Sequence, residues 1–472
     1  MRLGINNIGR ISSADIQLSG ITIVAGENNV GKSTIGKALF ALLHHMDNWN
    51  QLYTNICHMD LENLVKKYAN ELEIFCLEHT QAKNRRTNKA NALIKELSYR
   101  AEIVTAIEDL QVKSEDPNMP IDNLEAYNKM KNYMRTFVQS YIELYQSYDV
   151  KQFMIDNAEF IEKWENKIIS AFINDLNIDE TDLQLDDIND CFNSVFEKQF
   201  RKFDTNESQI KFEDDNKIIN KLIIEWNNEG MNLSTPIITE RGVRFIESPK
   251  LFDKIGYNYP FKDLRNSTIR LMEPNSTANF FPKQLSKRDM YVMEENIRPF
   301  ETLSNGAVEI LSKLQNYMGG HGEYNLSGGI KFKDDSLSKP VNATNVSSGL
   351  KGLAFLEFAI RVGAIKEGDV VIFDEPEINL HPEWQQLYAE ILVEMQIKMK
   401  LIILVTSHSP FFIRALEVYS DVKGIMDNLN AYLVEKDKVI DIMHTEYGMT
   451  DLYERLTAPF DKLEDILNKE GE

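Results

Sequence analysis

Gly26-Glu27-Asn28-Asn29-Val30-Gly31-Lys32-Ser33-Thr34 follows an apolar run, Ile21-Thr22-Ile23-Val24-Ala25, and opens a helical run from Ile35 to Leu43. The stretch matches G-x-x-x-x-G-K-[ST] in full, between an expected strand and an expected helix. Glycines at Gly26 and Gly31 let the backbone wrap a polyphosphate, with Asn28 and Asn29 lining the loop. Amides at the helix start then face its negative charge. In such a loop Lys32 reaches the β- and γ-phosphates, the Ser33 hydroxyl ligates Mg²⁺, and Thr34 completes the motif. A glycine turn before an ordinary helix is the bland alternative, and the complete motif in this context outweighs it.

Outward from the loop, the bulk properties set the class. At 472 residues the chain has room for two to four domains. Its 43% hydrophobic and 26% charged content is that of a globular protein. The formal net charge of −21 opposes DNA or an anionic membrane as partner, save through a local basic groove. Cys57, Cys76 and Cys191 are odd in number and far apart, so free thiols in a reducing cytoplasm are expected. Met1-Arg2-Leu3-Gly4-Ile5-Asn6 turns polar too soon for a signal peptide, and no run approaches membrane-spanning length.

Four segments follow from the periodicity. Residues 1–46 carry short strands, with turns at Asn7-Ile8-Gly9 and Ser12-Ser13, then the loop and its helix, which is expected to end near His44-His45-Met46. Residues 47–203 read as a helical insertion. Leu61, Leu64, Val65, Tyr68, Leu72, Phe75 and Cys76 recur at helical spacing, as do Met130, Met134, Phe137, Val138, Tyr141, Tyr145 and Tyr148, then Ile161, Trp164, Ile168 and Phe172. A polar loop at Lys113–Pro120 interrupts it. Asp175, Asn177, Asp179 and Asp186 loosely follow a calcium loop, but Glu180 stands where glycine is needed, so a solvated acidic loop is expected.

Residues 204–330 return to strands at Ile210–Phe212, Leu222–Trp226 and Val243–Glu247, leave Lys254–Phe300 unplaced, and continue with a helix over Phe300–Met318 and a hairpin. Residues 331–472 carry the second constellation. Val370-Val371-Ile372-Phe373-Asp374-Glu375 is an apolar strand ending in two carboxylates, the arrangement that places Asp374 on a Mg²⁺ shell and Glu375 beside a water. Upstream, Ser347-Ser348-Gly349 opens a helix and forms a second anion site. Downstream, Leu401–Thr406 is a buried strand leading into Ser407-His408-Ser409-Pro410, which puts His408 where α/β sheets hold ligands.

Together these pieces resemble the ABC-type ATPase head shared by RecF, SMC-like repair proteins and the OLD-like ATPases of phage defence. Gly26–Thr34 is similar to Walker A, Ser347-Ser348-Gly349-Leu350-Lys351 to the signature, and Asp374-Glu375 to Walker B. Asn379-Leu380-His381-Pro382 resembles the D-loop and His408 the switch histidine. The flavour is that of stand-alone defence ATPases such as those of Septu and PARIS systems. The likeness covers Met1–Leu43 and Thr344–Leu416. The family signature is usually Ser-Gly-Gly followed by Gln or Glu, so Ser348 and Leu350 depart from it. No Q-loop glutamine is identified.

The resemblance implies an α/β fold, a P-loop ABC-type ATPase head split by a long, mainly helical insertion. It implies ATP and Mg²⁺ as cofactors and an ATP-dependent homodimer. Each site then takes Lys32, Ser33, Asp374, Glu375 and His408 from one subunit and Ser347, Ser348 and Gly349 from the other. Glu375 is expected to be the general base, His408 the γ-phosphate sensor, with Lys32 as the third catalytic group. Residues Ser409–Glu472, read as two strands and two short helices, carry no Toprim-type acidic pattern, so an effector such as a nuclease is expected to be a separate protein. The expected role is a cytoplasmic ATP-driven sensor or scaffold in anti-phage defence. DNA repair or chromosome maintenance is the alternative, and a membrane partner is not expected.

Overall fold

The structure is a computed structural model that describes residues 1–80, 87–98, 100, 102–103, 105–107, 124–145, 149–174, 180–214, 222–227, 231–233, 242–246, 303–325, 329–342, 345–361, 363 and 365–470. The expected loop at Lys113–Pro120, Tyr148, the acidic residues Asp175–Asp179 and the unplaced Lys254–Phe300 lie outside these. Two compact units emerge: Met1–Asp47 with Gln184–Glu472, and Asn48–Leu183.

The first unit is built on an 11-stranded sheet. Its parallel half orders β13 (Leu429–Glu435), β3 (Ile21–Ala25), β12 (Ile402–Ser407), β11 (Val370–Asp374) and β7 (Val243–Ile246). Its antiparallel half orders β6 (Met231–Leu233), β5 (Leu222–Trp226), β4 (Ser208–Glu213), β1 (Arg2–Ile8) and β2 (Ile11–Gln17). Strand β14 (Lys438–Asp441) joins the halves, antiparallel to β13 and bridging to β2 at Ser13. A separate three-stranded sheet holds β8 (Gly320–Asn325), β9 (Gly329–Asp334) and β10 (Val341–Asn342).

The central strands are apolar throughout because both faces are covered. Val371, Phe373, Ile403 and Val405 pack into one core, whereas Val370, Ile372 and Leu404 pack into the other. The first core is closed by α7 (Asn305–Met318), α8 (Ser348–Arg361), α9 (Pro382–Met399) and α10 (Pro410–Val422). The second takes Ile35, Leu39 and Phe40 of α1 (Lys32–His79) together with Ile188, Phe192 and Val195 of α6 (Glu180–Val195).

The second unit is helical and has its own core. It contains the later part of α1 with α2 (Thr87–Ser98), α3 (Leu124–Tyr145), α4 (Val150–Asp156) and α5 (Ala158–Asn174). The tyrosine-bearing stripe of α3 is buried: Met130, Met134, Val138 and Tyr141 are at most 2% exposed. Two of its buried polar groups are matched: Tyr145 Oη donates to Glu73 at 3.0 Å and Trp164 Nε1 to the Tyr68 carbonyl at 2.9 Å.

Two local expectations are corrected. Helix α1 does not end near Met46; it runs unbroken to His79, since no glycine or proline interrupts Ala38–His79. Ser12 and Ser13 lie inside β2, and the turn is Gly9-Arg10, where Gly9 has φ +54°. Over Ser409–Glu472 the two expected strands are β13 and β14 and the two expected helices are α10 and α11 (Met449–Glu470), the latter 22 residues long with Pro459 inside it.

Candidate functional site

The phosphate-loop sequence lies between β3 and α1, as a strand–loop–helix unit. Gly26 and Gly31 take φ of +152° and +110°, and a Cβ at Gly31 would lie 2.8 Å from Ile11 Cδ1. Both the conformation and the space therefore require glycine. Asn28 and Asn29 are exposed on the loop. The Asn29 carbonyl accepts from Arg10 Nη1 at 2.7 Å, which props the loop on the β1–β2 turn. Thr34 faces that same turn: a Cβ at Gly9 would meet its Cγ2 at 2.9 Å.

Lys32 is buried. Its ammonium donates to the carbonyls of Gly26 at 2.9 Å and Glu27 at 2.8 Å, and lies 3.2 Å from Glu375 Oε1. Strand order β3–β12–β11 sets the remaining side chains beside it. Asp374 ends β11 and is 8% exposed; Thr406 Oγ1 on β12 donates to its Oδ1, and Ser33 hydrogen-bonds it from α1. Burial pushes the Asp374 carboxyl up from its ordinary range, against the pull of Thr406 and Ser33.

Glu375 follows at φ +50°, the left-handed region that costs a non-glycine residue on the order of 1–3 kcal/mol. Its N–H donates to the Thr406 carbonyl at 3.0 Å, so β12 pins the turn. His408 Nδ1 lies 3.4 Å from Glu375 Oε1. Lys32, Ser33, Asp374, Glu375 and His408 thus meet at the C-terminal ends of three neighbouring parallel strands, where open α/β sheets bind ligands.

The segment expected to be a second anion site, Ser347-Ser348-Gly349, makes contacts of its own. Ser347 is exposed and its carbonyl accepts from Lys351 N–H at 2.9 Å. Ser348 opens α8, and Gly349 lies beneath Trp384: a Cβ there would sit 2.7 Å from the indole. His381 caps α9.

Three participants escaped the sequence reading. Thr406 holds both carboxylate residues. Glu377 is 3% exposed, and its Oε1 accepts from Ser407 Oγ and, at 3.3 Å, from His408 N–H. Gln385 accepts from Ser409 Oγ at 3.0 Å. Thr406 and Glu377 carried no sequence signal beyond their place beside His408 and Asp374-Glu375, and Gln385 carried none.

Ser33 and Asp374 are hard oxygen donors already joined by a hydrogen bond, and two protein ligands are what Mg²⁺ takes when phosphate and water supply the rest. Among the described residues no cluster of three His, Cys, Asp or Glu side chains could hold a metal unaided.

This sheet, loop and strand-end cluster define a P-loop ATPase fold, interrupted along the chain by a long helical insertion. The chain belongs to the AAA ATPase domain family, which matches residues 1–413. No curated protein matches it. Among solved structures, an SMC head bound to the C-winged helix domain of ScpA is similar over 95% of this chain and 98% of its own, at 13% identity and TM-score 0.40. The SMC head domain from Thermotoga maritima covers 93% and 98%, at 9% identity and TM-score 0.33. No helix among the described residues is long and apolar enough to cross a membrane.

Proposed function

We propose that the chain binds ATP with Mg²⁺ and hydrolyses it between two heads, as a switch controlling a separate effector. The observation that carries this reading is the convergence of Lys32, Asp374, Glu375 and His408 at adjoining strand ends. Lys32 exchanges Glu375 and its loop carbonyls for the β- and γ-phosphates. Glu375, freed and 20% exposed, takes the proton of the attacking water. His408 reports the γ-phosphate from beside Glu375. Bound at Ser33 and Asp374, Mg²⁺ supplies charge neutralisation for the phosphates. Ser347, Ser348 and Gly349 of a second copy complete the site, so the γ-phosphate joins the heads and its loss releases them.

The defence role is supported by the order Asp374-Glu375-Pro376-Glu377, Asn379–Pro382 and Ser407–Pro410, and by a net charge of −21 that suits a protein partner better than DNA. The deciding experiment is steady-state ATP turnover with and without duplex DNA ends at moderate salt. Turnover indifferent to DNA is expected. Strong stimulation by DNA would replace the effector reading with DNA repair or chromosome maintenance, and no turnover at all would remove the ATPase.

A further inference from the structure

Glu377 is the one buried carboxylate near the site that the mechanism leaves unused. Its Oε2 has no hydrogen-bond partner among the described residues, although the residue is 3% exposed. A buried carboxylate with one oxygen unmet is a costly way to fill a core. What the other oxygen does is specific. Oε1 accepts from the Ser407 hydroxyl and from the backbone N–H of His408, holding the residue that carries the imidazole.

The contacts continue into a closed circuit. Ser409 N–H donates to Ser407 Oγ at 3.1 Å, and Ser409 Oγ donates to Gln385 Oε1 at 3.0 Å. Gln385 Nε2 donates to the Leu380 carbonyl at 3.0 Å, and Leu380 N–H donates to the Glu377 carbonyl at 3.0 Å. The ring therefore joins the turn after β11, the start of α9 and the turn after β12. Asn379, exposed at φ +63°, and His381 project from the same turn. Displacing that turn pulls on the His408 backbone, because these links are short and mutually dependent.

We infer that Glu377 is a positioning residue that couples the segment Pro376–Pro382 to His408 and thereby sets the His408–Glu375 distance. The inference rests on the ATPase reading and on the role given there to His408. Glu377 touches no reacting atom; it acts through the backbone it holds.

The test is ATP turnover of Glu377→Ala, Glu377→Gln, His408→Ala and the Glu377→Ala/His408→Ala double variant, with affinity for a non-hydrolysable ATP analogue measured on each. Glu377→Ala should lower kcat by about tenfold or more, since misplacement of an ångström is costly in catalysis, while analogue affinity stays within about twofold. Glu377→Gln keeps the acceptor and should restore most of the rate. The double variant should be no slower than His408→Ala alone, as expected for residues acting as one unit. Multiplying effects in the double variant, or full turnover in Glu377→Ala, would overturn the inference. If Glu377→Ala does not fold, Ser407→Ala removes the hydroxyl that joins Glu377 to Ser409 and so opens the circuit, and full turnover there overturns the inference. Wild-type protein without turnover refutes the ATPase reading itself. Wild-type turnover lost in His408→Ala but kept in Glu377→Ala refutes only the coupling.

Discussion

Asp374 shows how the site is held against its own stability. Burial raises its carboxyl above the ordinary range, and Thr406 and Ser33 only partly offset that. A group with a raised folded pKa contributes stability below its unfolded pKa and loses it as pH rises through the folded value. Metal-free Asp374→Asn should therefore melt above wild type in EDTA, by a margin that widens as pH rises above the ordinary aspartate value of 3.8, while losing Mg²⁺-dependent turnover. A constant margin across pH would mean that ionised Asp374 carries no penalty. Glu375→Gln should cut turnover on the order of 10²–10⁴-fold, the usual worth of a positioned base, yet retain ATP and accumulate as dimer. Normal turnover would remove Glu375 as base. Gly26–Thr34 and Asp374-Glu375 were legible because each set is contiguous in sequence. Thr406 and Glu377 were not, because their contacts lie about thirty positions away (32 for Thr406 to Asp374, 30 for Ser407 to Glu377) and exist only once β11 and β12 pair.

Among elements, the apolar strands β3, β11 and β12 could be read directly, since burial on both faces leaves no polar position to blur them. Helix α1 could not be read past Met46. His44, His45, Asp47, Asn48 and Asn50 look like caps in isolation, but with no glycine or proline the backbone continues to His79. The same helix meets the sheet at Gly36, where an added Cβ would lie 3.0 Å from Ile372 and 3.3 Å from Phe245. Gly36→Val should therefore overpack that contact and cost about 1–3 kcal/mol, read as a lower urea midpoint at unchanged slope. An unchanged midpoint would show that Ile372 and Phe245 yield freely.

For the whole molecule, the question is whether one copy suffices. On the proposed reading, Ser347, exposed just before α8, serves a site whose Lys32 is buried under the loop of a second head. Ser347→Arg should abolish turnover while leaving nucleotide binding largely intact. Mixed with Lys32→Ala, which should fail by itself, it should regain turnover, because one composite site per mixed dimer is then intact. No recovery on mixing would place the signature and the phosphate loop in one chain. The Lys32–Glu375 ion pair has a further consequence. On the proposed reading the head is an internal salt, its phosphate-seeking cation held by its own water-activating anion. Nucleotide arrival is then a partner exchange and departure a re-pairing, with Glu375 a tethered competitor for the seat that ATP takes.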